Sequence, residues 1–437
     1  MMEMKRRLKL VIIGAGSAYT PEIFDEIMKR KHLGIGRIVL VDIPEGMERA
    51  RIICEFGKRM FRHAGDACDI SLTLDRRAAL EDADFVICQL RVGGENARIK
   101  DELIGMQHHI LGQETTGAGG FMNAMRTIPV MLGIARDMEE ICPQAWLINF
   151  TNPSGIVTQA LSDCTSLQFA GLCNVPVNMW SDIAKAVGAD TGDIHCTFAG
   201  LNHLSFVTEA TQNGVSILPE VLRGLAGNET LMKNIPKVAG VGELAQTIGM
   251  VPSPYLQYFY FEEQMLHKQL DEWKSLGKSR GVITQEINRS LFRKYQDEAL
   301  ETKPEELSQR GGSLYSFAAL NIIEGLLSSQ PQEMVLNVPN RGAISDMADD
   351  DVVEINCMVG KDGVQALPFG PLPEAVSGLI RTVKQYERLT VRAAVQRSRS
   401  LAVQALLNHP LIHGWHNAAA IVRSMEREFP EFIQLEG

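Results

Sequence analysis

Between residues 8 and 172, short apolar runs at 8–13, 37–43, 85–92, 146–150 and 169–172 alternate with helical patterns. Strands interleaved with helices are joined by right-handed crossovers, so this spacing predicts a parallel sheet covered by helices. The first run passes directly into GAGSAYTPE. There Thr20 reads as a helix N-cap and Pro21 as the first helical position, with Ile23, Phe24, Ile27 and Met28 on one apolar face. Gly14 and Gly16 sit where a tight turn lets backbone amides approach a pyrophosphate, although Tyr19 stands where a third glycine is common. Ser17 belongs to the same loop. Asp42 closes the second run, where a carboxylate can accept from a ribose diol and so favours NAD over its phosphorylated form. The competing reading of Asp42 is a solvated loop aspartate.

From about residue 200 the pattern changes to long helical segments at 264–273, 313–327 and 372–407, with a hairpin expected from 352–359 and 364–367. Two domains follow from this change: 1–200, nucleotide-binding, and 201–437, mostly helical α+β. The charge is 43 − 53 = −10 with no basic cluster, which argues against a nucleic acid partner. No run of eighteen apolar residues is present, so no membrane-spanning helix is expected. The eight cysteines lack paired spacing, and free thiols in a reducing cytoplasm fit them best.

Several residues carry possible chemistry. Asn152, in FTNPSG, follows a strand-like run and would project from the carboxyl edge of the sheet, where ligands of open α/β folds bind; an ordinary Asn-Pro turn has equal weight. GQETTGAGGF is too long for a reverse turn and contains Glu114, while Arg91 and Arg98 offer guanidinium forks to a phosphate or carboxylate. Cys173 in GLCNVP and His203 in GLNHLSF both follow strand ends, and a thiolate with an imidazole can hold a transition metal. Each alone reads more simply as a buried thiol or a hydrogen-bonded histidine.

Taken in order, GAGSAYTPE (14–22), GGENARIKDE (93–102), GQETTGAGGF (112–121), NFTNPSG (149–155), GLCNVP (171–176), GLNHLSF (200–206), PSPYLQYFY (252–260) and QRGGSLYS (309–316) resemble glycoside hydrolase family 4 over nearly the whole chain. The CNVP form is most similar to that family's 6-phospho-β-glucosidases. The resemblance implies a Rossmann-type parallel sheet like that of lactate and malate dehydrogenases, with NAD and a divalent metal, usually manganese, as cofactors. It implies that Cys173 and His203 hold the metal, that Tyr255 is the base with Tyr258 as the alternative, and that Asn152, Asn174, Arg98 and Arg280 meet the phosphorylated sugar. It also implies a homodimer or homotetramer. LRVGG and DIPEG depart from the family pattern near the pocket and the cofactor.

The chemistry this implies differs from that of two-carboxylate glycosidases. Oxidation at carbon 3 of the sugar acidifies the carbon 2 proton, a side-chain base removes it, and the aglycone leaves by elimination; water addition and re-reduction follow. The rival readings are an α-glycosidase of the same family, with or without a 6-phosphate on the sugar, an NAD-dependent hydroxy-acid dehydrogenase, and a nucleotide sensor without catalysis.

Overall fold

The computed structural model describes residues 7–225, 238–309 and 314–436. Six strands, β1 (Leu8–Ile13), β2 (Ile35–Val41), β3 (Asp69–Thr73), β4 (Phe85–Cys88), β5 (Trp146–Asn149) and β6 (Gln168–Gly171), pair in parallel in the order β3-β2-β1-β4-β5-β6. That order is the doubly wound one, with its switch point between β1 and β4. The central strands β1, β2, β4 and β5 are largely apolar because both faces of the sheet are covered. Leu10, Ile12, Ile38 and Leu40 pack with Ile23 and Phe24, whereas Val11, Val39, Val86 and Leu147 pack with Met131, Ile134 and Met138 of the helix Gly117–Ile141. Each such side chain contributes roughly 1.5–3 kcal/mol on burial.

A second, antiparallel sheet holds β7 (Ile194–Leu201), β8 (Leu204–Gln212), β9 (Val215–Ser216) and β10 (Val251–Pro252). The chain then returns to the first sheet. Strand β11 (Gln332–Pro339) joins β6 through Asn337 opposite Gly171, and β12 (Val352–Gly360) and β13 (Gly363–Ala366) complete nine strands. The expected hairpin is present as β12–β13, and it is the outer edge of the main sheet rather than a separate unit.

Some local expectations shift. Helix Thr20–Lys29 begins one residue early, with Tyr19 at the N-cap; the Thr20 hydroxyl donates to Ala15 O at 2.8 Å and so does not cap the helix. The segment 372–407 divides into Glu374–Gln396 and Arg399–Leu407, broken at Arg397, whose φ is +52°. Strands β3 and β11 were not expected: DISLT is short and largely polar, and QEMVLNVP opens on polar residues. Of the QRGGSLYS motif, residues 310–313 lie outside the described residues. Among the described residues no helix is long and apolar enough to cross a membrane.

Candidate active site

The strand order decides which loops can meet. Gly14 follows β1, Asp42 follows β2, Asn152 follows β5 and Cys173 follows β6, all at the carboxyl edge of the parallel strands. Gly14 has a φ of +82°, and a Cβ there would lie 3.0 Å from Gln89 O, so a side chain would drive the loop off β4. Asp42 is folded under this loop: it accepts from Gly16 N at 2.6 Å and from Ile43 N at 2.8 Å. A carboxylate has about four lone-pair sites, so two remain for a ribose diol. Ser17 accepts from Tyr19 N at 3.2 Å, and Tyr19 uses the place of the missing glycine to meet Tyr315 edge-on, ring centroids 6.3 Å apart.

Cys173 is the N-cap of helix Asn174–Ala186, with its sulfur 3.4 Å from Val175 N and 3.9 Å from the Tyr315 hydroxyl. Burial pushes the thiol up to about 12, with Glu354 adding to the shift and Val175 N, Tyr315 and Asn202 opposing it. His203 occupies the two-residue turn between β7 and β8 with a φ of +63°, a conformation a residue with a Cβ adopts only when its surroundings hold it. Burial pulls its imidazole down to about 3, so the ring is neutral, the form that can ligate a metal. Tyr255 lies flat on it, ring centroids 3.7 Å apart and 2° from parallel. Tyr258 is next, 5.9 Å from the Tyr255 ring.

Burial drives the Tyr255 phenol well above its ordinary value; Cys173, Tyr258 and Glu114 add to this and Arg98 opposes it. Burial also raises the Tyr258 phenol, with Glu114 and Glu102 adding to the shift and Gln113 and Arg98 opposing it. Glu114 is held by Arg91 at 2.6 Å and Arg98 at 3.2 Å, in a loop that folds tightly on the start of helix Gly117–Ile141. A Cβ at Gly119 would lie 2.2 Å from Gln113 O, and so the turn tolerates no side chain there. Arg98 Nε donates to Glu102 at 3.0 Å, and the other Glu102 oxygen accepts from Gly281 N at 2.7 Å. Glu102 thus ties Arg98 to the first turn of helix Arg280–Tyr295, with Arg280 itself exposed at the rim.

Asn152 precedes a cis peptide to Pro153, its carbonyl accepts from Asn123 at 3.1 Å, and its side chain lies beside the Tyr315 hydroxyl. Asn174 is buried in the first turn after Cys173, where its carbonyl accepts from Asn178 at 2.7 Å. The structure therefore brings Cys173, His203, Tyr255, Tyr258, Asn152 and Arg98 around one region and leaves Gly14, Gly16, Ser17 and Asp42 on the adjacent loop. Sequence reasoning assigned no role to Tyr315, Asn202 or Glu354. Tyr315 lay inside a quoted motif, and Glu354 could have been flagged as a carboxylate inside the apolar run VVEINCMV.

The donor set can be tested against the two implied cofactors. One thiol and one neutral imidazole suit a borderline divalent transition ion and leave coordination positions for oxygen ligands. Among the described residues no group of three or more His, Cys, Asp and Glu side chains could hold a metal, so oxygens from elsewhere would have to complete the shell. The glycine-only approach at Gly14 and the oriented Asp42 fit a dinucleotide.

The chain belongs to the family 4 glycosyl hydrolases: the family model matches residues 9–189 and the model of the family's C-terminal domain matches residues 198–412. It is 41% identical over 413 residues to a probable 6-phospho-beta-glucosidase of Bacillus subtilis, covering 94% of this chain and 93% of the relative. It is 38% identical to the 6-phospho-beta-glucosidase of Escherichia coli, covering 98% of each. The Thermotoga maritima 6-phospho-beta glucosidase solved with NAD and glucose-6-phosphate superposes with a TM-score of 0.90 at 32% identity, over 99% of this chain and all of that one. A second form of that enzyme, holding manganese, NAD+ and glucose-6-phosphate, gives 0.88 at 31% identity, over 98% of this chain and all of that one. Malate dehydrogenase of Plasmodium falciparum, at 13% identity and a TM-score of 0.54 over 89% of this chain and 98% of that one, shares the fold, as the family resemblance implied.

Proposed function

We propose that this chain hydrolyses 6-phospho-β-glucosides with NAD+ and a divalent cation, manganese by analogy with its relatives. The observation that carries the reading is the stacking of Tyr255 on His203 beside Cys173, because it gathers a potential base and two potential metal ligands from three distant segments. When bound, NAD+ would supply a hydride acceptor for the sugar and the cation a Lewis acid that favours loss of the carbon 2 proton. The protein's own residues do the rest. Tyr255 takes the carbon 2 proton. Its phenol is strongly disfavoured as an anion in the cation-free protein, so this role needs positive charge facing it, of which Arg98 supplies part. Cys173 and His203 hold the cation, Asn152 and Asn174 orient the sugar, and Arg98 with Arg280 grips the 6-phosphate through guanidinium forks. Gly14, Gly16 and Ser17 line the dinucleotide, with Asp42 on the ribose. The buried His203 ring beneath the half-buried Tyr255 limits the water that reaches the proton being moved.

The test is an assay of aryl β- and α-glucosides, each with and without the 6-phosphate, in the presence of NAD+ and Mn2+. Cleavage of the phosphorylated β-substrate alone, with no net NADH and with solvent deuterium at carbon 2 of the product, is expected. Cleavage without deuterium entry, or net NADH formation from a hydroxy acid, would overturn the reading.

A further inference from the structure

Glu354 of β12 is fully buried and close enough to Cys173 to raise its thiol. One of its oxygens accepts from Asn202 Nδ2 at 3.0 Å and Asn337 Nδ2 at 3.2 Å, and the other from the Ser205 hydroxyl at 2.7 Å. All three donors are neutral, and among the described residues Glu354 makes no ion pair. Burial pushes the Glu354 carboxyl above its ordinary value, against the pull of the hydrogen bonds from Asn202, Ser205 and Asn337 and with Glu387 adding to the rise, and a nearby cation would relieve the desolvation cost and favour the anion.

Its partners make that cost informative. Asn202 immediately precedes His203 and Ser205 follows it by two, so Glu354 grips both sides of the turn in which His203 takes its positive φ. The Asn202 side chain also bonds the Cys173 sulfur, and its Oδ1 accepts from Gly155 N at 3.4 Å. One carboxylate therefore reaches the segment of each proposed ligand through a single asparagine. Outer-shell carboxylates that orient metal-binding side chains commonly change cation affinity by about 10–100-fold.

We propose that Glu354 is a positioning residue of the cation site: bonded on both sides of His203, it aims the imidazole and sets a negative charge close to Cys173 that strengthens divalent-cation binding. This rests on the reading that Cys173 and His203 hold the cation. Glu354→Gln separates charge from shape, because the amide can still accept from the two asparagines and donate to the Ser205 oxygen.

The experiment is calorimetric titration of the full chain, saturated with NAD+, with Mn2+. E354Q is expected to raise the Mn2+ Kd by about tenfold, while the NAD+ Kd and the Tm of the metal-free protein stay close to wild type. The thiolate-to-cobalt absorption band of the Co2+-loaded protein is expected to persist. N202D/E354Q, which moves the carboxylate one partner along the same bond, is expected to recover most of the affinity. A wild-type Mn2+ Kd in E354Q overturns the proposal. So does a parallel loss of NAD+ affinity, or unfolding of both variants, since either makes Glu354 general scaffolding. Undiminished Mn2+ binding by C173S removes the cation site itself and this role with it, an outcome distinct from a failure confined to E354Q.

Discussion

The carboxyl edge of the parallel strands and the turn between β7 and β8 both supply the candidate site, but they do so by different physics. At the parallel edge, position follows from topology: loops after β1, β2, β5 and β6 must emerge on one side, and Gly14 and Cys173 arrive there because their strands end there. The β7–β8 turn instead holds His203 in an uncommon backbone conformation, clamped by Glu354 from a strand some 150 residues away and covered by Tyr255. The first region is specified by strand order, and the second by long-range contacts. Substitutions in the second should therefore damage chemistry while leaving dinucleotide binding intact.

The largest test of that contrast is Tyr255→Phe. It keeps the ring on His203 and removes the proton acceptor, and kcat is expected to fall on the order of 10³-fold, within the range for loss of a general base. Calorimetry should find the NAD+ Kd unchanged. Equal losses in both would merge the two regions and break the comparison.

Cys173→Ser comes next. An alcohol is a much poorer ligand for a transition ion than a thiolate, and Mn2+ affinity is expected to drop by about 100-fold or more, beyond the usual cost of an outer-shell change. Because Cys173 follows β6 and lies outside the Gly14–Ser17 loop and Asp42, NAD+ affinity should again be kept. Fluorescence titration of the two ligands reads both.

A third test concerns pH. His409 is fully buried, accepts from Gly117 N at 3.2 Å, and burial holds its imidazole down to about 3. Its folded pKa lies below the unfolded value, so its contribution is complete above about 6.5 and is lost as the pH falls toward 3. At pH 5 that amounts to roughly 2 kcal/mol. Chemical denaturation at pH 7 and pH 5 is expected to find a smaller difference in His409→Gln than in wild type. An identical pH dependence would refute the assignment.

The smallest expected effect is at the rim. Arg280→Ala is expected to raise KM for a phosphorylated β-glucoside by about tenfold with kcat nearly unchanged, as for loss of binding shared by ground and transition states. No change for the phosphorylated substrate, or an equal change for the unphosphorylated one, would separate Arg280 from the phosphate.

Much of the first region was legible in the chain. Apolar runs bounded by glycine and asparagine marked five of the six parallel strands, and each marked loop emerged where the strand order required. Strand β3 was missed because it lies at the sheet edge, where DISLT needs little apolar surface. The C-terminal strands were only half legible. The β12–β13 hairpin carried a GKDG turn, but nothing local announced that β11 would pair with β6 at Gly171. Tyr255 was named through resemblance alone, His203 also from its place after a strand end in GLNHLSF, and neither spacing nor composition predicted their stacking.

The sequence alone determined the parallel sheet, the glycine-shaped loop after β1 and the segments that carry reactive side chains, because these depend on periodicity and on backbone conformations that few residues can adopt. Only the tertiary structure decided which segments meet. The approach of Tyr255, Tyr315 and Glu354 to Cys173 and His203 arises from packing between elements far apart in the chain, and burial there, rather than residue identity, sets the protonation of the thiol, the imidazole and the phenol.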